Sequence, residues 1–311
     1  MEKVNNVTMF IFLGLSQNPE VEEICFVVFS FFYMAVLLGN LLIMLTVHMG
    51  NLFKSPMYFF LNYLSFVDIC YSSVIAPKMI VDLLAKSKTI SYVGCILQLF
   101  GAHFFGCIEI FILIAMAYDR YVAICKPLHY MTIMDQERCN KMLLGTWVGG
   151  FLHSVIETAL VVQLPFCGPN EIDHYFCDVH PMLKLACTDT YAVGVVVTAN
   201  SGTIALGSFV ILLISYSVIL LFLRKQSAEG RRKALSTCGS HIAVVVMFFG
   251  PSSFMYMRPD VTFPEDKMVA VFYTVITPVL NPLIYTLRNA EVKMAMKKLW
   301  GRKVFWGANS K

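Results

Sequence analysis

Charge is scarce in this sequence. Only 14% of its 311 residues are Asp, Glu, Lys or Arg, while 58% are hydrophobic. A soluble domain carries about 25% charged residues, so the chain reads as a membrane protein. Its apolar runs leave no polar stretch long enough for a separate soluble domain. The net charge of +4 is too small to argue for nucleic acid. No GxGxxG and no phosphate loop occurs, and no serine or cysteine nucleophile can be assembled with a base and an orienting acid on one side of a membrane. Enzyme chemistry is therefore not expected. No repeat at a fixed period is found, which favours one bundle over two related halves. The N-terminus also lacks a basic region, and Met9-Phe10-Ile11-Phe12-Leu13 is too short for the apolar core of a cleavable signal. The first membrane helix is expected to act as the targeting signal instead.

What the chain does have is long apolar runs. A spanning helix needs roughly 20 mainly apolar residues. Segments 24–48, 57–80, 94–121, 141–163, 194–223, 234–257 and 268–287 qualify. The expected fold class is an all-α membrane protein, a seven-helix transmembrane bundle. Residues 1–23 form an N-terminal segment, 24–288 the bundle, and 289–311 a helix and tail. Orientation follows from lysine and arginine. With the N-terminus outside, most of the 24 basic residues face inward, among them Arg120, Lys126, Arg138, Arg224, Arg231 and Lys297. Acids such as Glu20, Glu22, Glu171, Asp178 and Asp266 then lie outside. This orientation makes Asn6-Val7-Thr8 a glycosylation sequon. At the other end Val292, Met296, Leu299 and Trp300 share a face opposite lysines, as in a helix lying along the inner leaflet; the alternative is a basic disordered tail.

Cysteines sort by side. Cys95, Cys167, Cys177 and Cys187 fall outside, in an oxidising compartment and even in number, so two bridges are expected. Sequence leaves their three pairings open. Cys25, Cys70, Cys107, Cys125, Cys139 and Cys238 are expected to be free thiols. His174-Tyr175-Phe176-Cys177-Asp178-Val179-His180 carries metal-ligand residue types, but a bridged Cys177 offers no thiolate, and no metal is expected.

Ionisable groups inside a membrane are costly and usually functional. Asp68 and Glu109 are the clearest cases. Facing each other, they would share a sodium ion or a proton; a plain hydrogen-bonded cluster is the alternative. Pro251, Pro278 and Pro282 remove helix hydrogen bonds and kink the late spans. With Asn281 and Tyr285 nearby, a movable joint is one reading and a static kink the other.

The third span carries the geometry. Cys95 and Arg120 are separated by roughly 38 Å of helical rise, and His103 and Arg120 by roughly 26 Å. Ala102, His103, Gly106, Cys107 and Ile110 share one helical face. Small residues there leave room for a guest. His103 either lines that cavity or is satisfied by a neighbouring helix.

The motifs carry a resemblance. Residues 116–125 read MAYDRYVAIC, followed by KPLHY; 56–61 read PMYFFL; 233–242 read KALSTCGSHI; and 278–285 read PVLNPLIY. With Gly39-Asn40 and the four outer cysteines, the chain resembles a vertebrate olfactory receptor of the tetrapod type, within the rhodopsin-like G-protein-coupled receptors. The resemblance covers nearly the whole chain. It implies that a small volatile odorant binds in the outer half of the bundle and that a stimulatory heterotrimeric G protein is activated, raising cyclic AMP at the plasma membrane. It implies a pocket from Ala102, His103, Gly106, Cys107, Asn200, Ser252, Tyr256 and Thr274. Asp119, Arg120 and Tyr121 match the inner switch motif, Tyr216 a tyrosine of the active form, and Asn281, Pro282 and Tyr285 the motif that rearranges. Asp68 and Glu109 match an acidic pair in the bundle centre. Cys95 would pair with Cys177, and Cys167 with Cys187. Two departures stand out. Phe248-Phe249-Gly250 replaces the commoner FYG, and Lys233, Ser236 and Thr237 stand where most rhodopsin-like receptors have an acid, leaving Arg120 to Asp119 and hydroxyls. The rival class is a transporter or channel using Asp68 and Glu109.

Overall fold

A computed structural model describes residues 7–168, 170–224, 227–228, 238–239, 241–247, 249–250, 265–288, 292, 294 and 296. Helices dominate: α1 (Pro19–Met49), α2 (Pro56–Leu84), α3 (Tyr92–Cys125), the short α4 (Tyr130–Ile133), α5 (Gln136–Val162), the short α6 (Val179–Leu183) and α7 (Tyr191–Leu223). The last span is composite. It runs from α8 (Glu265–Val271) through a π-turn (Phe272–Ile276) into α9 (Thr277–Arg288). Six of these segments are long and apolar enough to cross a membrane. Of the expected sixth span, 234–257, residues 241–247 are helical and most of the rest lies outside the described residues.

The helices run past their apolar cores because capping, rather than hydropathy, ends them. Asn18 accepts from the Glu20 amide at 3.0 Å, with Pro19 in the first turn, so α1 starts ahead of the expected residue 24. Ser91 caps α3 through the Gly94 amide at 3.1 Å, and Asp135 caps α5 through the Arg138 amide at 2.7 Å. Exposed apolar side chains cover the outer faces, Ile24, Val27, Phe31, Leu97 and Leu152 among them, as a lipid-facing surface requires.

The bundle is organised around α3. Its apolar window is 56% buried, against 22% for α1. Small residues let α5 approach it. A Cβ on Gly150 would meet Ile108 Cγ1 at 2.6 Å and the Phe104 carbonyl at 3.1 Å, and Ser154 Oγ donates to the Phe100 carbonyl at 2.6 Å.

One end carries a feature not expected from sequence. Met9–Phe12 forms β1, antiparallel to β2 (Thr89–Ser91) and parallel to β3 (Glu171–Ile172), in the order β2-β1-β3. Phe10 and Phe12 point inward and are buried, while Met9 is exposed, the alternation of a strand. Residues 1–23 are thus not a uniform tail: they include a strand and the first turn of α1. Beyond α9, Val292, Met294 and Met296 are helical, with Val292 buried and Met294 exposed, while the rest of 289–311 lies outside the described residues.

Candidate functional site

Two disulfides close the end of the bundle that bears the sheet. Cys95 joins Cys177 with Cα atoms 5.4 Å apart, and Cys167 joins Cys187 at 6.0 Å. The first ties the loop between α5 and α7 to the start of α3. Gln98, one turn on, holds the same loop: its Oε1 accepts from the Cys177 amide at 2.9 Å, and its Nε2 donates to the Val74 carbonyl at 3.1 Å. The loop is drawn down over the bundle, with Phe176 and Asp178 facing a cavity.

That cavity measures about 70 Å³. Since a water needs roughly 10–15 Å³ by such a measure, it has room for a small guest. From α3 come Ala102, His103, Gly106, Cys107 and Ile110, at the helical spacing that puts them on one face. His153 comes from α5, and Ser201, Ile204 and Ala205 from α7; Tyr71 and Tyr273 complete the described wall. His103 both lines the cavity and has a partner, because its Nε2 lies 3.4 Å from Asp178 Oδ1. Burial alone would raise the Asp178 carboxyl. The hydrogen bond and charge of His103, with the charges of His174 and His180, outweigh burial and hold it below the usual carboxylate range. The Val179 amide donates to the same oxygen at 2.8 Å, capping α6.

Two expected pocket residues sit elsewhere. Asn200 turns toward α5, where its Nδ2 is 2.9 Å from Glu157 Oε1 and 3.1 Å from His153 Nδ1; a buried carboxylate attracts the amide more strongly than an apolar cavity does. Its neighbour Ser201 takes the place in the wall. Thr274 donates to the Ala270 carbonyl at 2.8 Å and pairs with the Tyr175 hydroxyl at 2.9 Å, so it anchors the loop while Tyr273 faces the cavity. Ser252 and Tyr256 lie outside the described residues. His153, Glu157 and Gln98 were missed by sequence reasoning. His153 and Glu157 are ionisable residues inside a span, so the rule that singled out Asp68 and Glu109 would have found them.

The loop histidine His174 is buried between the rings of Tyr175 and Phe176, with centroids 4.6 and 4.5 Å away. Burial pushes it down to about 4, with Asp178 opposing and Lys267 assisting. Among the described residues no cluster of metal-ligating side chains converges here or elsewhere.

In the bundle centre Asn281 Nδ2 reaches both Asp68 oxygens, at 3.2 and 3.0 Å, and Glu109 Oε1 at 3.4 Å. Asp68 and Glu109 are fully buried. Among the described residues Glu109 Oε2 and Asn281 Oδ1 are left as buried acceptors without a partner. A set of hard oxygen donors with unused lone pairs suits a small hard cation or a proton.

The joint around Asn281 is built from sequence. Pro282 has no N–H, so the carbonyl of Pro278 four residues earlier lacks its helical donor; Asn40 Nδ2 supplies one at 3.3 Å. The π-turn precedes Pro278, and Thr277 Oγ1 donates to the Phe272 carbonyl at 3.0 Å. A Cβ on Gly39 would meet Pro282 Cβ at 3.0 Å, so α1 packs against the proline ring there. Tyr285 is helical, but its side chain lies outside the described residues.

At the far end of α3 Asp119 is held from two sides. Arg120 Nε donates to Oδ2 at 3.0 Å and its terminal amine to the same oxygen, while the Tyr130 hydroxyl donates to Oδ1 at 2.7 Å. The hydroxyl near the ion pair therefore binds the acid, not the arginine. Tyr121 is half-buried, with Lys126 over its ring at 5.9 Å. Tyr216 pairs with His241 Nδ1, a partner the sequence reading did not name. Lys233, Ser236 and Thr237 lie outside the described residues.

Comparison with known proteins gives a consistent result. A family model described as olfactory receptor matches residues 29–303. Olfactory receptor 4S2 of Homo sapiens is 85% identical over 311 residues, covering 100% of both chains. Olfactory receptor 4B1 of Homo sapiens is 61% identical over 303 residues, 97% of this chain and 98% of its own. Olfactory receptor 4B13 of Mus musculus is 60% identical over 303 residues, covering 97% and 99%.

Proposed function

The chain belongs to the olfactory receptor family, and on that premise we propose that its cavity is the odorant site and that α3 links it to a G protein. It is a multi-pass membrane receptor, not an enzyme. In this reading the N-terminus and the disulfide end face outward at the plasma membrane, with Asn6 glycosylated, and the Asp119-Arg120-Tyr121 end faces the cytoplasm. A volatile ligand shifts a two-state bundle toward the form that opens an inner cavity for a stimulatory heterotrimeric G protein, raising cyclic AMP.

The observation that carries the reading is continuity along one helix. Ala102, His103, Gly106 and Cys107 line the cavity, and Asp119 and Arg120 form the ion pair at the other end of the same α3. A rigid helix with a ligand at one end and a releasable ion pair at the other is a physical means of coupling. The Tyr216–His241 pair and the Asn281 joint lie beside its path and take the same proposed role, together with Pro282 and Tyr285.

We further propose that Asp68, Glu109 and Asn281 hold a sodium ion or share a proton. Two buried carboxylates around one amide leave negative charge that the protein must neutralise. The donors that would hold the ion are Asp68, Glu109 Oε2 and Asn281 Oδ1.

A cyclic AMP reporter in cells, challenged with a broad odorant panel, tests the assignment. The wild type should respond, and Arg120→Ala should reach the surface and stay silent. No response from surface-expressed wild type, or undiminished signalling from Arg120→Ala, would count against it.

A further inference from the structure

The polar wall of the cavity has a defined protonation pattern. His153 Nδ1 lies 3.1 Å from Asn200 Nδ2, and that same nitrogen lies 2.9 Å from Glu157 Oε1. An amide nitrogen carries two hydrogens and accepts none. One hydrogen goes to the carboxylate and the other to the imidazole. Nδ1 is therefore the acceptor, and the ring proton sits on Nε2. The competing arrangement, Nδ1–H donated to Glu157, would span 3.9 Å, beyond hydrogen-bond reach. Turning the amide over would set its oxygen against Glu157 Oε1. Ser201 Oγ donates to that same oxygen at 2.9 Å, so Glu157 Oε1 accepts whether or not Oε2 carries a proton.

Three other polar side chains of the wall are engaged. His103, its ring centroid 5.5 Å from that of His153, faces Asp178 Oδ1, which also takes the Val179 amide. Ser201 is turned to Glu157. Ile110, Ile204 and Phe176 make much of the remaining surface apolar. Among the described residues nothing pairs with His153 Nε2, so the wall presents a neutral N–H without a protein acceptor.

We propose that the ligands of this receptor are small neutral molecules with a hydrogen-bond-accepting oxygen, such as alkyl ketones, esters and aldehydes. His153 Nε2–H is the recognising donor. Asn200 and Glu157 are positioning residues that hold the ring in the donating tautomer. This rests on the cavity being the odorant site. A carboxylate ligand would meet Asp178, with Glu157 behind. An alkylammonium has no lone pair with which to accept from the Nε2–H.

The test uses matched short-chain ketones, acetate esters, carboxylic acids and amines of one carbon skeleton. Two readouts are taken on the full-length receptor: cyclic AMP in cells, and ligand-dependent thermal stability of the purified protein. Ketones and esters should rank first. His153→Leu should weaken them by about tenfold, the scale of one hydrogen bond in an apolar site. His153→Gln, which keeps an N–H, should restore most of that loss. Asn200→Leu frees the ring to adopt either tautomer, so the potency ratio of ketones to amines should fall; a general folding defect would lower both together.

Acids or amines ranking first in cyclic AMP would overturn the ligand class while leaving the receptor reading intact. So would ketone potency unchanged in His153→Leu. Ketone-dependent stabilisation lost in His153→Leu, without any cyclic AMP, would uphold the ligand class and sink the signalling reading. Silence in both readouts overturns both.

Discussion

The side-chain amide of Asn40 in α1 donates to the carbonyl of Pro278 in α9 across 3.3 Å, and also to its own Val36 carbonyl at 3.0 Å. Pro282 deprives that Pro278 carbonyl of its helical donor. A neighbouring helix thus satisfies the backbone group that the proline frees, which is how a membrane helix tolerates a proline. Asn40→Leu should destabilise the bundle by about 1–3 kcal/mol, the cost of an unsatisfied buried carbonyl. Thermal unfolding of the detergent-solubilised protein measures this. An unchanged midpoint would mean that the carbonyl has another donor.

Tyr130 and Arg120 compete for the charge of Asp119 by holding opposite oxygens. Burial, then the Asp119 charge and hydrogen bond, raise the Tyr130 phenol, so it remains a donor at physiological pH. Tyr130→Phe removes one of the contacts that fix the carboxylate. If this clamp restrains the resting state, ligand-free cyclic AMP should rise about two- to tenfold, the range that one hydrogen bond supplies. Basal signalling equal to wild type at matched surface expression would assign the restraint elsewhere.

His174 predicts a pH dependence of stability. Its folded value is about 4 against an ordinary 6.5, because burial penalises the charged ring. Between those values the unfolded chain binds more protons than the folded one, so stability rises with pH across that window. It is lost progressively as pH falls from about 6.5 toward about 4, by up to about 3 kcal/mol. Asp178 adds to the loss only at lower pH, since a depressed carboxylate contributes until pH falls through its folded value. His174→Phe should flatten the thermal midpoint between pH 6.5 and pH 4. A wild-type midpoint that is already flat there would refute the assignment to His174.

Some of this was legible in the residues. Six of the seven expected spans, the small-residue face of α3 and the acidic pair all follow from periodicity and from the rarity of charge in a membrane. The helix ends were signalled too, by Asn18-Pro19, Ser91 and Asp135, but hydropathy alone places them several residues short. The inward turn of Asn200 was not legible, because it depends on Glu157 standing opposite on another helix. Nor was β1, whose partners lie about eighty and one hundred and sixty residues away. Four residues of alternating pattern cannot announce a strand whose pairing is wholly non-local. Thr274 faced the same difficulty: only the loop drawn down by Cys177 brings Tyr175 to it.

The centre of the bundle separates two of the proposals about charge. Asp68 and Glu109 are fully buried, and one Asn281 amide reaches both. Two bare carboxylates there would repel each other in a medium that screens weakly. A sodium ion would cancel one of the two charges and bridge α2, α3 and α9, favouring whichever state keeps those helices together. A proton would do so without any dependence on sodium. If sodium is the partner, replacing it with choline should shift ligand potency in wild type, and Asp68→Asn, with one carboxylate fewer, should lose that shift. If a proton is the partner, potency should respond to pH and not to the choice of cation, and Glu109→Gln should reproduce the low-pH behaviour at neutral pH. Potency indifferent to both variables in wild type would reduce the cluster to a hydrogen-bonded clamp, with Asn281 as its pin.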